Sequence, residues 1–330
     1  MQIDLRTVSI KPLRNTFDHL VRRFGDKPAS RYQEGSYEIQ ADANLQYRPS
    51  WDPEHELHDP KRTALVMADW YAFKDPRQFY YGTYTLTRAR QQDSAEANFD
   101  FVETRGLLAQ LGDDDRRLAL EVLMPLRHAA WGANMNNTGM CADGYGTLIT
   151  QPCMFAAMDN LGVAQYLTRV GLALGDTEAL AAGREAWIND AAWQPLRRLV
   201  EKTLVTRDWF ELLVAQNFVS DGLLYPLIYE QFVDTRLGAR GGAGVSLMCV
   251  FMTEWHAEMR KWIDAVIKTA AKESEANRDL LTGWTRTWRD RAVEALGPIA
   301  DKAFGTDAAA ILDTITQSFN ARAAKLGLDL

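Results

Sequence analysis

The sequence predicts an all-α protein, and three observations carry that prediction. Alternating Val/Ile/Thr runs bounded by tight turns, the mark of strands, recur nowhere along the chain. Helix caps punctuate it at helical intervals, and the stretch from Val205 to Phe232 is apolar nearly all round, as a central buried helix is. With 330 residues, 47% of them hydrophobic and 25% charged, the chain can bury a substantial core as one large or two average domains.

Residues 1–62 read as a largely irregular, partner-contacting arm and 63–330 as the helical domain. From Phe24 to Arg62 there is no sustained periodicity, and Pro28, Pro49, Pro53 and Pro60 are scattered through the segment. Its Tyr32, Tyr37, Tyr47 and Trp51 argue against disorder, so a partner surface is expected beneath it. Asp75-Pro76 reads as an N-cap followed by proline at the first helical position. Gly112-Asp113-Asp114-Asp115 closes one helix and opens another, which continues through Leu118, Val122 and Leu126 to the region of Trp131. Later helices are expected to start near Pro152, Asp176, Asp190, Arg207, Gly244, Ser274 and Thr306, with the glycines from Gly238 to Gly244 as a helix-to-helix hinge.

Composition excludes several function classes. A net charge of −7 with both signs mixed along the chain offers no basic face for a phosphate backbone, so no nucleic acid is expected as a partner. The longest apolar stretch, around Leu247 to Met252, is far below the ~20 residues of a spanning helix, so no membrane partner is expected either. The N-terminal Met-Gln-Ile-Asp-Leu-Arg has no apolar leader character, and a cytoplasmic location is expected. Cys141, Cys153 and Cys249 are odd in number and lack Cys-x-x-Cys spacing, which indicates reduced, mostly buried thiols.

Candidate chemistry is sparse. The Gly238–Gly244 segment fails the G-x-G-x-x-G spacing, and neither G-K-[ST] nor G-x-S-x-G occurs. Between Trp51 and Pro60 the residues Glu54, His55, Glu56, His58 and Asp59 have a metal-binding composition, but the flanking prolines keep them off a single helix face, and a hydrogen-bonded loop is the default. A di-iron helical bundle needs one Glu from each of two helices and a Glu-x-x-His pair from each of two others, because carboxylates must neutralise and bridge two cations. None of the five histidines has a Glu three residues before it. Met124-Pro-Leu-Arg-His128 and Met252-Thr-Glu-Trp-His256 nevertheless share a form, that of Glu-x-x-His with the Glu replaced.

At these residues the sequence resembles the β (small oxygenase) subunit of bacterial multicomponent phenol hydroxylases, within the soluble di-iron monooxygenases. The resemblance rests on Arg23 to Tyr32, Tyr47 to Pro60, Asp75 to Gly82, His128 to Asn137 and Arg207 to Glu211, and runs from about Phe24 to Pro298. It implies a ferritin-like helical bundle with extra helices. It also implies that Thr83, Pro125, Ser220 and Thr253 stand where the catalytic α subunit has its four Glu, beside His128 and His256 at the two His positions. Thr and Ser bring no anionic charge and Pro cannot ligate, so these positions are expected to be empty of metal, with a kink at Pro125. The implied role is non-catalytic support of an α subunit that holds the di-iron centre, with no cofactor in this chain. The implied complex is α2β2γ2, with a small γ subunit and, transiently, a regulatory protein and a reductase carrying FAD and a 2Fe-2S cluster. Together they would hydroxylate phenol to catechol with O2 and NADH. Trp51, Trp70, Tyr71, Tyr80 and Tyr81 are candidate partner contacts, each of which could equally be core packing.

Besides a helical interaction module unrelated to oxygenases, two other readings stay open at this point. One is the β subunit of a toluene-type monooxygenase. The other is a stand-alone di-iron oxidase with ligands drawn from Glu96, Glu211, Glu230, Glu254 and Glu258, which are more simply solvated or paired charges.

Overall fold

The computed structural model describes residues 17–43, 48 and 50–330. The expectations for residues 1–16, Tyr47 and Pro49 lie outside the described residues. No described residue is in a strand, so the all-α reading holds.

The arm contains two single-turn helices, α1 (Val21–Phe24) and α2 (Arg31–Glu34), the second closed by a capping box between Ser30 and Gln33. The surface beneath its buried residues belongs to this chain. Leu20, Tyr32 and Tyr37 enter the same hydrophobic core as the long helices. Tyr32 accepts from the Asp75 N–H at 3.1 Å, and Arg23 grips Asp69 at 2.7 Å. Aromatic side chains in an irregular segment need an apolar seat, and the helical body supplies one.

The body runs α3 (Tyr81–Thr104), α4 (Asp113–Leu123), α5 (Leu126–Asp143), α6 (Thr147–Asn189) and α7 (Gln194–Leu204). A central helix follows as α8 (Trp209–Leu213), a π segment (Val214–Ser220), α9 (Asp221–Tyr225) and a second π segment (Pro226–Leu237). The chain ends in α10 (Ala243–Glu273), α11 (Glu275–Phe304) and α12 (Ala308–Lys325).

Several predicted boundaries coincide with real caps. The Asp208 carboxylate accepts from the N–H groups of Phe210 and Glu211, Ser274 accepts from Asn277, and three aspartates open α4 at its positive dipole end. Two expectations fail. Asp75-Pro76 makes a turn rather than a helix start: Asp75 bonds to the backbone and guanidinium of Arg77, Gln78 adopts φ +52°, and the helix waits until Tyr81. Pro152 lies inside α6, which begins earlier after Gly146, a residue at φ +86°. The break expected at Asp176 is a kink within α6, where Gly175 and Asp176 leave helical geometry.

Pro125 does more than kink its helix. It separates α4 from α5, and the turn closes through shorter-range bonds from Arg127 to Met124 and from His128 to Pro125. The Met124 side chain at this break drops into a cleft on α6 made by Gly171 and Gly183, where a β-carbon on either glycine would collide with it.

The bundle closes as a ring: α5 packs on α6, α6 on α10, α10 on the second π segment, and α8 back on α5. Helix α3 lies outside against α10, and α7 and α11 cover α5 and the first π segment. Nearly every residue from Trp209 to Val233 is buried or half-buried, as the apolar run predicts. Replacing Gly183 with Val should lower the unfolding free energy by about 2–3 kcal/mol, because the added carbons meet the Met124 backbone, which cannot swing aside. Urea unfolding of the two proteins checks this, and an unchanged midpoint would contradict the close approach.

Candidate functional site

Two of the six positions of the implied metal site, Ser220 and His256, lie at or beside the centre of the ring. Ser220 lines a cavity of about 40 Å³, and its hydroxyl donates to the Ala215 carbonyl at 2.7 Å. His256 is buried and stacks on Tyr225, another lining residue, at 5.0 Å between ring centroids. Burial, reinforced by Arg322 and Arg260, brings its pKa down to about 3, so the imidazole is neutral. His128 turns away to stack on Trp187, its Nε2 lacks a partner, and burial lowers its pKa too.

The other three positions do not join them. Pro125 lines a separate groove between α4, α6 and α11. Thr83 sits in the first turn of α3, outside the ring, and Thr253 is half-buried on α10. Among the described residues, no three His, Cys, Asp or Glu side chains come together as a group able to hold a metal ion. The residues therefore do not fit a di-iron cluster, since two cations in a low-dielectric interior need several converging carboxylates.

The buried carboxylates serve another purpose. Asp159 on α6 accepts from Arg88 at 2.7 Å through both Nε and Nη2, from the Tyr84 hydroxyl at 2.8 Å and from Trp255 Nε1 at 2.9 Å. Glu258 on α10 accepts from Arg88 at 2.8 Å and from Arg77 at 3.3 Å. Phe79 lies beneath both guanidinium groups, at 4.8 and 5.5 Å. This network ties α3, α6 and α10 together, and the sequence analysis missed it except for Glu258. The available signal was Asp159-Asn160 interrupting the apolar run from Phe155 to Val163.

The remaining candidate ligands are spoken for or solvated. Glu96 pairs with Arg169, Glu211 accepts from Trp288 Nε1, and Glu230 and Glu254 are exposed. In the loop from Trp51 to Pro60, Asp52 is shared by His55 and Arg62, Glu56 pairs with Arg48, and Asp59 caps the Lys61 N–H. Glu54 is exposed and His58 faces the Gly144 carbonyl at 3.4 Å. These side chains point to arginines and backbone rather than toward one centre.

A polar seam runs along the wall of the central cavity. Asn136 donates to Thr203 and Gln216, and Gln216 donates in turn to Asp221 Oδ1 at 2.9 Å. Burial pushes the Asp221 pKa up to about 7, while the Gln216 hydrogen bond and the Arg322 charge oppose the shift.

Of the partner-contact candidates, Trp51 and Tyr81 are exposed, at 64% and 69%, whereas Tyr71 and Tyr80 are half-buried. Trp70 is 8% exposed and packs on Trp209 at 5.5 Å, so it is core rather than contact surface. An apolar face that the sequence analysis overlooked lies on the α5–α6 hairpin. Trp131 and Met135 on α5, and Met154, Met158 and Leu161 on α6, recur at helical spacing and are all exposed.

Two outcomes follow from these environments. Arg88→Met leaves Asp159 and Glu258 short of their main counter-charge and should cost about 3–5 kcal/mol of stability; a loss below 1 kcal/mol in urea unfolding would contradict the role assigned to Arg88. Because the folded-state pKa of Asp221 is raised, its stabilising contribution is full below the unfolded value near 4 and is lost as pH rises through about 7. Asp221→Asn should therefore abolish a decline of up to ~4 kcal/mol between pH 4 and pH 8, read as the difference between the pH profiles of variant and wild type.

Residues 51–274 match the Methane/Phenol/Alkene Hydroxylase family. Over 330 residues the chain is 48% identical to the phenol 2-monooxygenase oxygenase component DmpL of Pseudomonas sp. strain CF600, covering 99% of this chain and 98% of that protein. It is 26% identical to the β subunit of the toluene-4-monooxygenase hydroxylase component of Ectopseudomonas mendocina, covering 87% of this chain and 90% of that one. A solved structure of phenol hydroxylase from Pseudomonas sp. OX1 superimposes with a TM-score of 0.91 at 46% identity, covering 98% of both chains. The likeness thus extends past Pro298 into the C-terminal helix. With a ferritin-like bundle and homology to oxygenase components along its whole length, this chain belongs to the methane/phenol/alkene hydroxylase family.

Proposed function

We propose that this chain is the non-catalytic β subunit of the oxygenase component of a multicomponent phenol hydroxylase. It supports an α subunit that holds the di-iron centre and hydroxylates phenol to catechol with O2 and NADH. The observation that carries this reading is the donor chemistry of the bundle: Thr83, Pro125, Ser220 and Thr253 bring no carboxylate, and Asp159 and Glu258 are already neutralised by Arg88 and Arg77. Full-length identity to an oxygenase component supports the phenol assignment over the toluene-type β subunit, with which the identity is about half as high. The stand-alone oxidase reading loses its ligands, because Glu96, Glu211 and Glu258 are bound to other side chains and Glu230 and Glu254 face solvent.

As β subunit the chain works by its surface. The exposed apolar row on α5 and α6, together with Trp51 and Tyr81, suits burial against a partner within an α2β2γ2 assembly. The regulatory protein and the reductase engage that assembly transiently; the di-iron centre resides in the α subunit, and FAD and the 2Fe-2S cluster reside in the reductase.

The test is to express the chain alone and together with its α and γ partners, and to measure iron content and phenol-dependent NADH consumption with reductase and regulatory protein added. Iron at background level in the isolated chain, and NADH consumption only with the full set, are the expected results. A stoichiometric iron pair in the isolated chain, or phenol turnover by this chain with reductase alone, would overturn the proposal.

A further inference from the structure

Two buried side-chain oxygens of the polar seam lack a partner. Asp221 Oδ1 is held by Gln216, but its Oδ2 receives nothing. Asn136 spends both amide hydrogens, at 2.7 Å on Thr203 and 2.8 Å on Gln216, and its Oδ1 likewise receives nothing. Asp221 is 4% exposed and Asn136 2%, so bulk solvent does not satisfy either atom. Asp221, Gln216 and Thr203 all line the cavity, whose opposite wall is apolar, with Leu126, Ala129 and Val163 among its residues.

An occupant that answers the orphaned Asp221 oxygen must be able both to donate to the carboxylate and to accept from the protonated carboxyl, and it must be small. The cavity of about 40 Å³ has room for two or three waters at ~10–15 Å³ each, and falls well short of the ~150 Å³ cavity that admits benzene. We propose that the centre of this bundle is an internal water-binding site, anchored at Asp221 Oδ2 and closed to aromatic substrates by its size. The water gives the Asp221 carboxyl a partner without opening the helices. Phenol, six ring carbons and a hydroxyl, has no seat here. The inference concerns only this chain's interior and does not depend on the identity of its partners.

Crystals of the full chain, alone or in its oxygenase complex, test it at a resolution that shows other buried waters. Wild type should show one or more waters in the cavity within hydrogen-bond distance of Asp221; Asp221→Asn should keep them, and Asp221→Leu should expel them. Xenon pressurisation should leave the wild-type cavity free of xenon, and a phenol soak should place no ring in it. A dry wild-type cavity, xenon inside it, or a phenol ring inside it would each overturn the proposal. If the Leu variant does not fold, wild type and the Asn variant still decide the question.

Discussion

The packing of this bundle depends on one buried carboxylate being fully answered. Asp159 lies inside the contact between α3, α6 and α10, where an unpaired negative charge would be costly, and it receives donors from Arg88, Tyr84 and Trp255. Those donors come from two other helices, so satisfying the charge sets how far α3 and α10 can slide along α6. Glu258 completes the arrangement by sharing Arg88, and Phe79 fills the apolar space under the guanidinium groups. An interior organised this way has committed its acids to architecture.

The central helix shows a second consequence. Its π segments place the Ser220 and Thr235 hydroxyls on carbonyls five residues back, a register in which the helix is wider than an α-helix. Ser220, Asp221 and Tyr225 face the small cavity from this helix, and Tyr225 stacks with Trp255 and His256 behind it. Aromatic rings and a neutral histidine thus occupy space that a cation pair would need. The outer face of the α5–α6 hairpin, by contrast, stays apolar and exposed, the kind of surface that marks an interaction site.

Local chemistry was legible wherever a residue acts on its own neighbours. Asp208, Ser274 and the Asp113–Asp115 run cap helices because the groups they satisfy lie within a few residues, and Pro125 breaks its helix because its ring and missing N–H act on the preceding turn. The same logic misread Asp75-Pro76, whose carboxylate is taken by Arg77, and Pro152, which the long α6 absorbs. The sequence marks Asp159 as a polar residue in an apolar run but not its partners, because its donors lie 71, 75 and 96 residues away. The arm is a related case: its aromatics announce a contact, but not whose surface provides it.

Residue types and spacing by themselves determined that this chain is helical, that its central helix is buried all round, and that its histidines lack the glutamates of a di-iron motif. Those properties belong to single side chains or to one turn of helix. Only the tertiary structure decided that Asp159 and Glu258 share one arginine, that Trp70 is core while Trp131 is surface, and that Asp221 lines a small cavity with one oxygen unpartnered. Each of these is a relation between distant segments, fixed when the helices settle into register and exclude solvent between them.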